Sequence, residues 1–64
     1  MNEEKSKLME IEVFMKDKPF IIKEDIKECL IDHKGNLIFF GELTQRNFYI
    51  QKESFEYYTT KEIQ

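Results

Sequence analysis

Apolar residues in this chain occur as adjacent pairs and longer runs, which short polar segments separate. The runs are Phe14-Met15, Phe20-Ile21-Ile22, Leu30-Ile31, Leu37-Ile38-Phe39-Phe40, Phe48-Tyr49-Ile50 and Tyr57-Tyr58. Neighbouring side chains on a β-strand point to opposite faces, so each run places apolar surface on both faces of a sheet. A domain of 64 residues has one interior. The second apolar face must therefore be covered by another chain, by a helix or by strong bending of the sheet.

The spacing of these runs predicts five or six short strands joined by tight turns. Residues 8–15 alternate between apolar and acidic side chains, as in Ile11-Glu12-Val13, which predicts a half-buried strand. Residues 52–55 predict one helical or 3₁₀ turn before a final strand at 56–60. The predicted core is Ile11, Val13, Ile21, Cys29, Ile31, Phe39, Ile50 and Phe55.

Residues 23–33 fit either a helix or strands. A helix would place Ile22, Ile26 and Leu30 on one face and would end just before Gly35. In the alternative, residues 26–32 form a strand that pairs antiparallel with 37–41 through the polar loop around Gly35. We favour the strands, because a short polar loop with glycine between two apolar runs is typical of a hairpin. An α+β fold with a helix at 23–33 stays the alternative.

The end of the chain resembles a known family of small barrels. The segment Phe48-Tyr49-Ile50-Gln51-Lys52-Glu53-Ser54-Phe55-Glu56-Tyr57 is similar to the strand, 3₁₀ turn and strand that end SH3-like and Sm-like β-barrels, including those of Gram-positive phages and plasmids. The resemblance covers residues 9–60 as a pattern. It implies an all-β, five- to six-stranded antiparallel barrel that Phe55 plugs. The chain has no SH3 ligand-groove motif and no Sm RNA-binding motif, so neither family function is implied.

The predicted organisation is a single small domain. Residues 1–7 are a charged lead-in that we expect to be flexible, residues 8–60 form the β-barrel domain, and residues 61–64 are expected to be loose. The charged N-terminus lacks the apolar segment of a secretory signal, and no apolar run approaches the ~18 residues of a membrane span. With a single cysteine, these features predict a cytoplasmic protein without contact to a membrane.

Catalytic and cofactor chemistry finds no support in the sequence. Cys29 is the only cysteine and His33 the only histidine, so no set of soft metal ligands exists. Gly35 and Gly41 are isolated, whereas phosphate-binding loops require clustered glycines. We expect no enzyme activity, no catalytic residue, no metal and no cofactor. Cys29 is expected to act as a small core hydrophobe.

Charge and aromatic content favour protein recognition. Ten cationic residues against thirteen acidic ones give a net charge of −3, which opposes binding to a polyanion. Exposed aromatic residues are enriched in protein interfaces. The chain is therefore predicted to be a non-catalytic module that binds a protein partner or itself, as a homo-oligomer. The predicted partner-binding residues are Phe40, Arg46, Phe48, Tyr49, Tyr57 and Tyr58.

Two other functions stay open. The first is a nucleic-acid-binding accessory protein. Cationic and aromatic residues alternate in the segment that contains Arg46, Phe48 and Lys52, and bases stack on exposed aromatic rings. The excess of acidic residues allows a DNA mimic, although lysines are mixed among the acids. Alanine is absent and lysines outnumber arginine nine to one, a bias of A/T-rich genomes. We therefore expect an accessory or inhibitor protein of a phage, plasmid or other mobile element that acts on a host or element protein.

Overall fold

The computed structural model describes residues 8–17 and 20–63, and this part of the chain is all-β. The predicted lead-in at 1–7, Pro19 and Gln64 lie outside the described residues. The elements in chain order are β1 (Met9–Met15), β2 (Ile21–Ile26), β3 (Cys29–Ile31), β4 (Leu37–Gly41), β5 (Arg46–Ile50), a 3₁₀ turn (Lys52–Ser54) and β6 (Phe55–Glu62). The all-β prediction is confirmed. The alternative helix at 23–33 is wrong, because these residues form β2 and β3.

The strands form two antiparallel sheets of three strands each. Sheet A has the order β2-β1-β6, and sheet B has the order β3-β4-β5. The predicted hairpin is confirmed for residues 29–31: Ile31 pairs with Leu37 and Cys29 with Phe39 across the loop of residues 32–36. Ile26 was predicted in the same strand, but it ends β2 and pairs with Met9 in sheet A. Gly35 has φ +93 in that loop, a conformation that favours glycine. The predicted 3₁₀ turn before the last strand is also confirmed.

β1 is the central strand of sheet A and has the predicted alternation. Ile11 and Val13 are fully buried, whereas Glu10 and Glu12 lie on the outer face. Lys23 Nζ lies 3.8 Å from the Glu10 carboxylate and 3.6 Å from that of Glu12, and Lys61 Nζ lies 3.9 Å from Glu10. Such exposed pairs contribute little to stability, ~0–1 kcal/mol. The alternation therefore acts mainly by directing the apolar side chains inwards.

The core lies between the inner faces of the two sheets. Its buried residues come from β1, β2, β4 and β5: Ile11, Val13, Ile26, Leu37, Phe39 and Ile50. Phe48 stacks on Phe39 with ring centroids 4.9 Å apart, and Phe55 contacts Tyr58 edge-on at 6.3 Å. Ile11, Val13, Phe39 and Ile50 confirm the predicted core. Ile26 and Leu37 are fully buried although neither was predicted.

Two predicted core residues are exposed, so their assignment is wrong. Ile21 pairs with Phe14 on the outer face of sheet A, and its neighbour Ile22 points inwards instead. Ile31 is 51% exposed because it ends the three-residue edge strand β3, which has a neighbouring strand on one side only. Cys29 and Phe55, also predicted, are half-buried and pack against the core.

A buried glutamate connects the two sheets. Glu24, on the inner face of β2, is 1% exposed. Its Oε1 accepts a hydrogen bond from the Leu43 backbone N–H at 3.0 Å, and its Oε2 accepts one from the Thr44 hydroxyl at 2.5 Å. A Cβ at Gly41 would collide with this carboxylate, so the close approach requires glycine. The Glu24 carboxylate thus fixes the turn between β4 and β5 against sheet A.

We predict that Glu24→Ala destabilises the fold by about 1–3 kcal/mol, because it removes the buried carboxylate that accepts hydrogen bonds from the Leu43 N–H and the Thr44 hydroxyl. That is a large share of the roughly 3–5 kcal/mol expected for so small a core. Urea unfolding followed by circular dichroism measures the change. Glu28→Ala, at an exposed position two residues after β2, is the control and should shift stability by less than about 0.5 kcal/mol. Equal effects of both substitutions would contradict this role of Glu24.

Candidate functional site

The outer face of sheet B carries a contiguous apolar surface. The strand register places Leu30 and Tyr49 directly opposite Ile38, one on each side of β4. Phe40, two residues further along β4, points to the same face. Leu30 is 53% exposed, Tyr49 60% and Phe40 38%. We refer to Leu30, Ile38, Phe40 and Tyr49 as the apolar row.

A groove of about 470 Å³ lies at one end of the apolar row. Its apolar lining consists of Leu30, Ile38 and Phe40 from the apolar row together with Phe39. Its polar lining is Lys27, Glu28, Glu42 and Asn47. Two carboxylates and one ammonium group therefore give the charged lining a net charge of −1, and this arrangement of an apolar centre with a polar rim is common in protein interfaces.

Hydrogen bonds fix the position of Tyr49 at the other end of the row. The side chain of Asn36, which is 7% exposed, donates from Nδ2 to the Tyr49 hydroxyl at 2.8 Å. Its Oδ1 accepts a hydrogen bond from the Lys52 backbone N–H at 2.9 Å. Asn36 thus joins the β3–β4 loop to β5 and to the 3₁₀ turn. A tyrosine held in this way loses little conformational freedom when a partner binds.

Asp32 orders the loop that contains Asn36. Its Oδ1 accepts hydrogen bonds from the backbone N–H groups of Lys34 and Asn36, both at 2.9 Å, and its Oδ2 accepts one from Asn36 Nδ2 at 3.1 Å. The bond from the Asn36 backbone is the main cause that holds the pKa of Asp32 below its ordinary value of 3.8. The ionised carboxylate is therefore the form that supports the Tyr49 end of the apolar row.

A second, smaller apolar patch lies on the outer face of sheet A. Phe14 and Tyr57 stack there with ring centroids 4.4 Å apart and an interplanar angle of 16°. Phe20 and Ile21 lie beside them and are half exposed. These four residues line a shallow depression of about 370 Å³. The outer faces of both sheets thus carry exposed aromatic side chains.

The structure separates the predicted partner-binding residues. Phe40 and Tyr49 lie together in the apolar row, whereas Tyr57 lies in the patch on sheet A. Phe48 and Tyr58 point inwards and pack against the core, so they are not part of either exposed surface. Arg46 is exposed at the start of β5, opposite Gly41. Partner binding by the six predicted residues stays a prediction.

Leu30 and Ile38 belong to the apolar row, although neither was predicted to bind a partner. The signal was present in the predicted hairpin. Once Phe39 is assigned to the core, strand alternation directs Ile38 outwards, and the register then places Leu30 beside it.

Metal-binding and thiol chemistry can be assessed in the described residues. No group of three or more histidine, cysteine, aspartate or glutamate residues within 8–17 and 20–63 could hold a metal ion. Burial raises the pKa of the half-buried Cys29 thiol above its usual 9.0, which disfavours the reactive thiolate. None of the helices in this part of the chain is long and apolar enough to cross a membrane.

Comparisons with protein-family models, curated proteins and solved structures give no match to this chain.

We predict that the stability provided by the Asp32 loop depends on pH. The pKa of Asp32 is lower in the folded than in the unfolded chain, so its contribution is complete above pH 3.8 and is lost as the pH falls through the folded value. Urea midpoints of the native chain and Asp32→Ala, measured from pH 7 to pH 2, should differ at neutral pH and converge in acid. A difference that stays constant across this range would contradict the prediction.

Proposed function

We propose that the chain is a non-catalytic protein-binding module whose partner contacts the apolar row. The observation that supports this most directly is the register, which brings Leu30, Ile38, Phe40 and Tyr49 together on one outer face while the core lies on the other. Exposed apolar patches on single chains often mark interaction sites. Aromatic side chains such as Tyr49 bury a large area for few rotatable bonds, as interface hot spots do.

We further propose that the two sheets are the halves of a small SH3-like barrel. Three features support this. β3 follows β2 after only Lys27 and Glu28, so one bent segment supplies a strand to each sheet. The Glu42 backbone N–H donates to the Asp25 carbonyl at 2.7 Å, which joins the sheets at that bend. The 3₁₀ turn precedes the last strand, and Phe55 packs against the core directly after it, as expected of a plug.

The proposed biological setting is an accessory or inhibitor protein of a phage, plasmid or other mobile element. The protein would act in the cytoplasm on a host or element protein. The support is compositional: the sequence has no alanine, nine lysines and one arginine. Such a protein would act by occupying a surface of its target.

Nucleic-acid binding receives less support from the arrangement of the side chains. The aromatics that suggested it lie on different faces: Phe48 packs against the core, Tyr49 lies on the outer face of sheet B and Tyr57 on that of sheet A. The groove beside the apolar row has one lysine and two glutamates. A DNA mimic needs a dense row of unpaired acids, whereas Lys23 and Lys61 accompany Glu10 and Glu12 on sheet A.

The test of the apolar row is capture of a partner by matched variants. We expect the immobilised chain to retain a protein from a lysate of a low-GC Gram-positive bacterium, and Leu30→Ser and Phe40→Ser to weaken retention at least ~tenfold, as loss of a hot spot does. Ile21→Ser, at an exposed position on the outer face of sheet A, is the control and should retain the partner. Circular dichroism checks that each variant is folded. Equal retention by all variants would contradict the proposed surface.

Oligonucleotide titration separates the two classes of partner. We expect no measurable affinity for labelled single- or double-stranded DNA at physiological salt. Phosphate contacts weaken steeply as salt rises, whereas an apolar interface changes little. Micromolar binding with a steep salt dependence, lost on Arg46→Ala or Lys52→Ala, would replace the proposed function with nucleic-acid binding.

A further inference from the structure

β6 is the longest strand of the described chain and has a strand neighbour on one side only. It pairs with β1 along Phe55–Glu62 and forms an edge of sheet A. The other edge strands offer fewer free backbone groups for pairing. β3 has three residues and β5 five. β2, the opposite edge of sheet A, is partly covered, because its Asp25 carbonyl accepts the Glu42 N–H. The β6 edge is therefore the most extended place where a further strand could pair.

The hydrogen-bond pattern shows which residues of β6 direct their backbone groups to the free edge. The Ile63 N–H donates to the Leu8 carbonyl at 3.2 Å, so the odd-numbered residues of this segment bond towards β1. In an antiparallel pair, bonding residues alternate along the strand. Tyr58 and Thr60 therefore direct both N–H and C=O away from β1. Among the backbone hydrogen bonds that the described chain makes outside its strand ladders, none involves Tyr58 or Thr60.

The middle of this edge lacks the features with which proteins usually protect exposed strands. Such protection takes the form of charged side chains, proline, bulges or a very short strand. Residues 57–60 are Tyr-Tyr-Thr-Thr, which are uncharged and favour β structure. The single irregularity in the β1–β6 pairing lies before them, where Met15 pairs with Phe55 and Phe14 with Tyr57. Charged residues begin again at Lys61.

We propose that β6 pairs antiparallel with β6 of a second copy of this chain, which joins two sheets A into one continuous sheet. A two-fold axis perpendicular to the joined sheet keeps the outer faces of both copies of sheet A on the same side. Odd-numbered residues of one β6 therefore lie opposite odd-numbered residues of the other, and even-numbered opposite even-numbered. We place the axis at Thr59, which pairs residues 57–61 of the two copies and leaves out residues 55–56, where the pairing with β1 is irregular. In this register Thr59 faces Thr59 of the partner subunit, and Tyr58 exchanges hydrogen bonds with Thr60 of the partner subunit.

The side chains on the outer face fit this register. Lys61 would lie opposite Tyr57 of the partner subunit. Tyr57 is 52% exposed, and the ring face that does not stack on Phe14 can accept a cation. Opposed threonines also pair favourably across strands. The surface is separate from the apolar row, which lies on sheet B, so the inference goes beyond the proposed function and can fail independently of it.

Sedimentation equilibrium tests the assembly. We expect the native chain to reach a mass twice the 7.8 kDa of one copy as its concentration rises. Thr60→Pro removes an outward N–H, which an edge strand tolerates, and should weaken the dimer on the order of tenfold or more. Thr59→Lys keeps every backbone hydrogen bond but places two ammonium groups opposite each other, and it should also weaken the dimer. Phe40→Ser, on the other sheet, is the control and should leave the dimer intact.

Cross-linking and hydrogen exchange test the register. In a Cys29→Ser background, Thr59→Cys should form an intermolecular disulfide on mild oxidation, because directly opposed residues of this kind lie about 4.5 Å apart. Lys61→Cys, on the same outer face, should not, since it would lie about 13 Å from its symmetry mate. The amides of Tyr58 and Thr60 should gain protection as the concentration rises, while those of Tyr57 and Thr59 stay protected throughout.

The proposal has clear contrary outcomes. A strict monomer at millimolar concentration would overturn it, and so would an assembly larger than two chains. A dimer that withstands both Thr60→Pro and Thr59→Lys but dissociates on Phe40→Ser would assign self-association to the apolar row instead. Disulfide formation at Lys61→Cys in place of Thr59→Cys would reject the register.

Discussion

The structure depends on the packing of two small sheets through one inner face each. β1 and β4 are the central strands, and together they supply Ile11, Val13, Leu37 and Phe39 to the core. Because the chain has a single interior, every apolar residue of opposite parity on these strands must face outwards. Phe14 on β1 and Phe40 on β4 point outwards for this reason. The exposed apolar surfaces thus follow from the same strand alternation that builds the core.

Polar contacts position these surfaces. Glu24 fixes the turn between β4 and β5, and Asn36 joins the β3–β4 loop to Tyr49 and the 3₁₀ turn. Both side chains are buried and hydrogen-bonded, as buried polar groups in folded proteins generally are. The two residues act at opposite ends of β4. The apolar row therefore lies on a strand that is held at each end, which favours a rigid binding surface over an adaptable one.

Much of the fold could be predicted from the sequence, because local signals specify it. The glycine-containing loop predicted the β3–β4 hairpin, and the pattern after Phe48 predicted the 3₁₀ turn and last strand. It is harder to predict from the sequence which of two adjacent apolar residues points into the core. In Ile21-Ile22 both residues suit a strand equally, and only the pairing of Ile22 with Val13 determines which one is buried. The same ambiguity made Phe48 and Tyr58 resemble surface aromatics, although both pack against the core.

The assignment of neighbouring residues to opposite faces is tested most directly by substituting Phe39 and Phe40 separately with alanine. Phe39 is 3% exposed and lies in the core, whereas Phe40 is 38% exposed on the outer face of sheet B. Urea unfolding should show a loss of about 3–5 kcal/mol for Phe39→Ala, enough to unfold so small a domain, and about 1 kcal/mol or less for Phe40→Ala. Similar losses at both positions, or a greater loss at Phe40, would contradict the account.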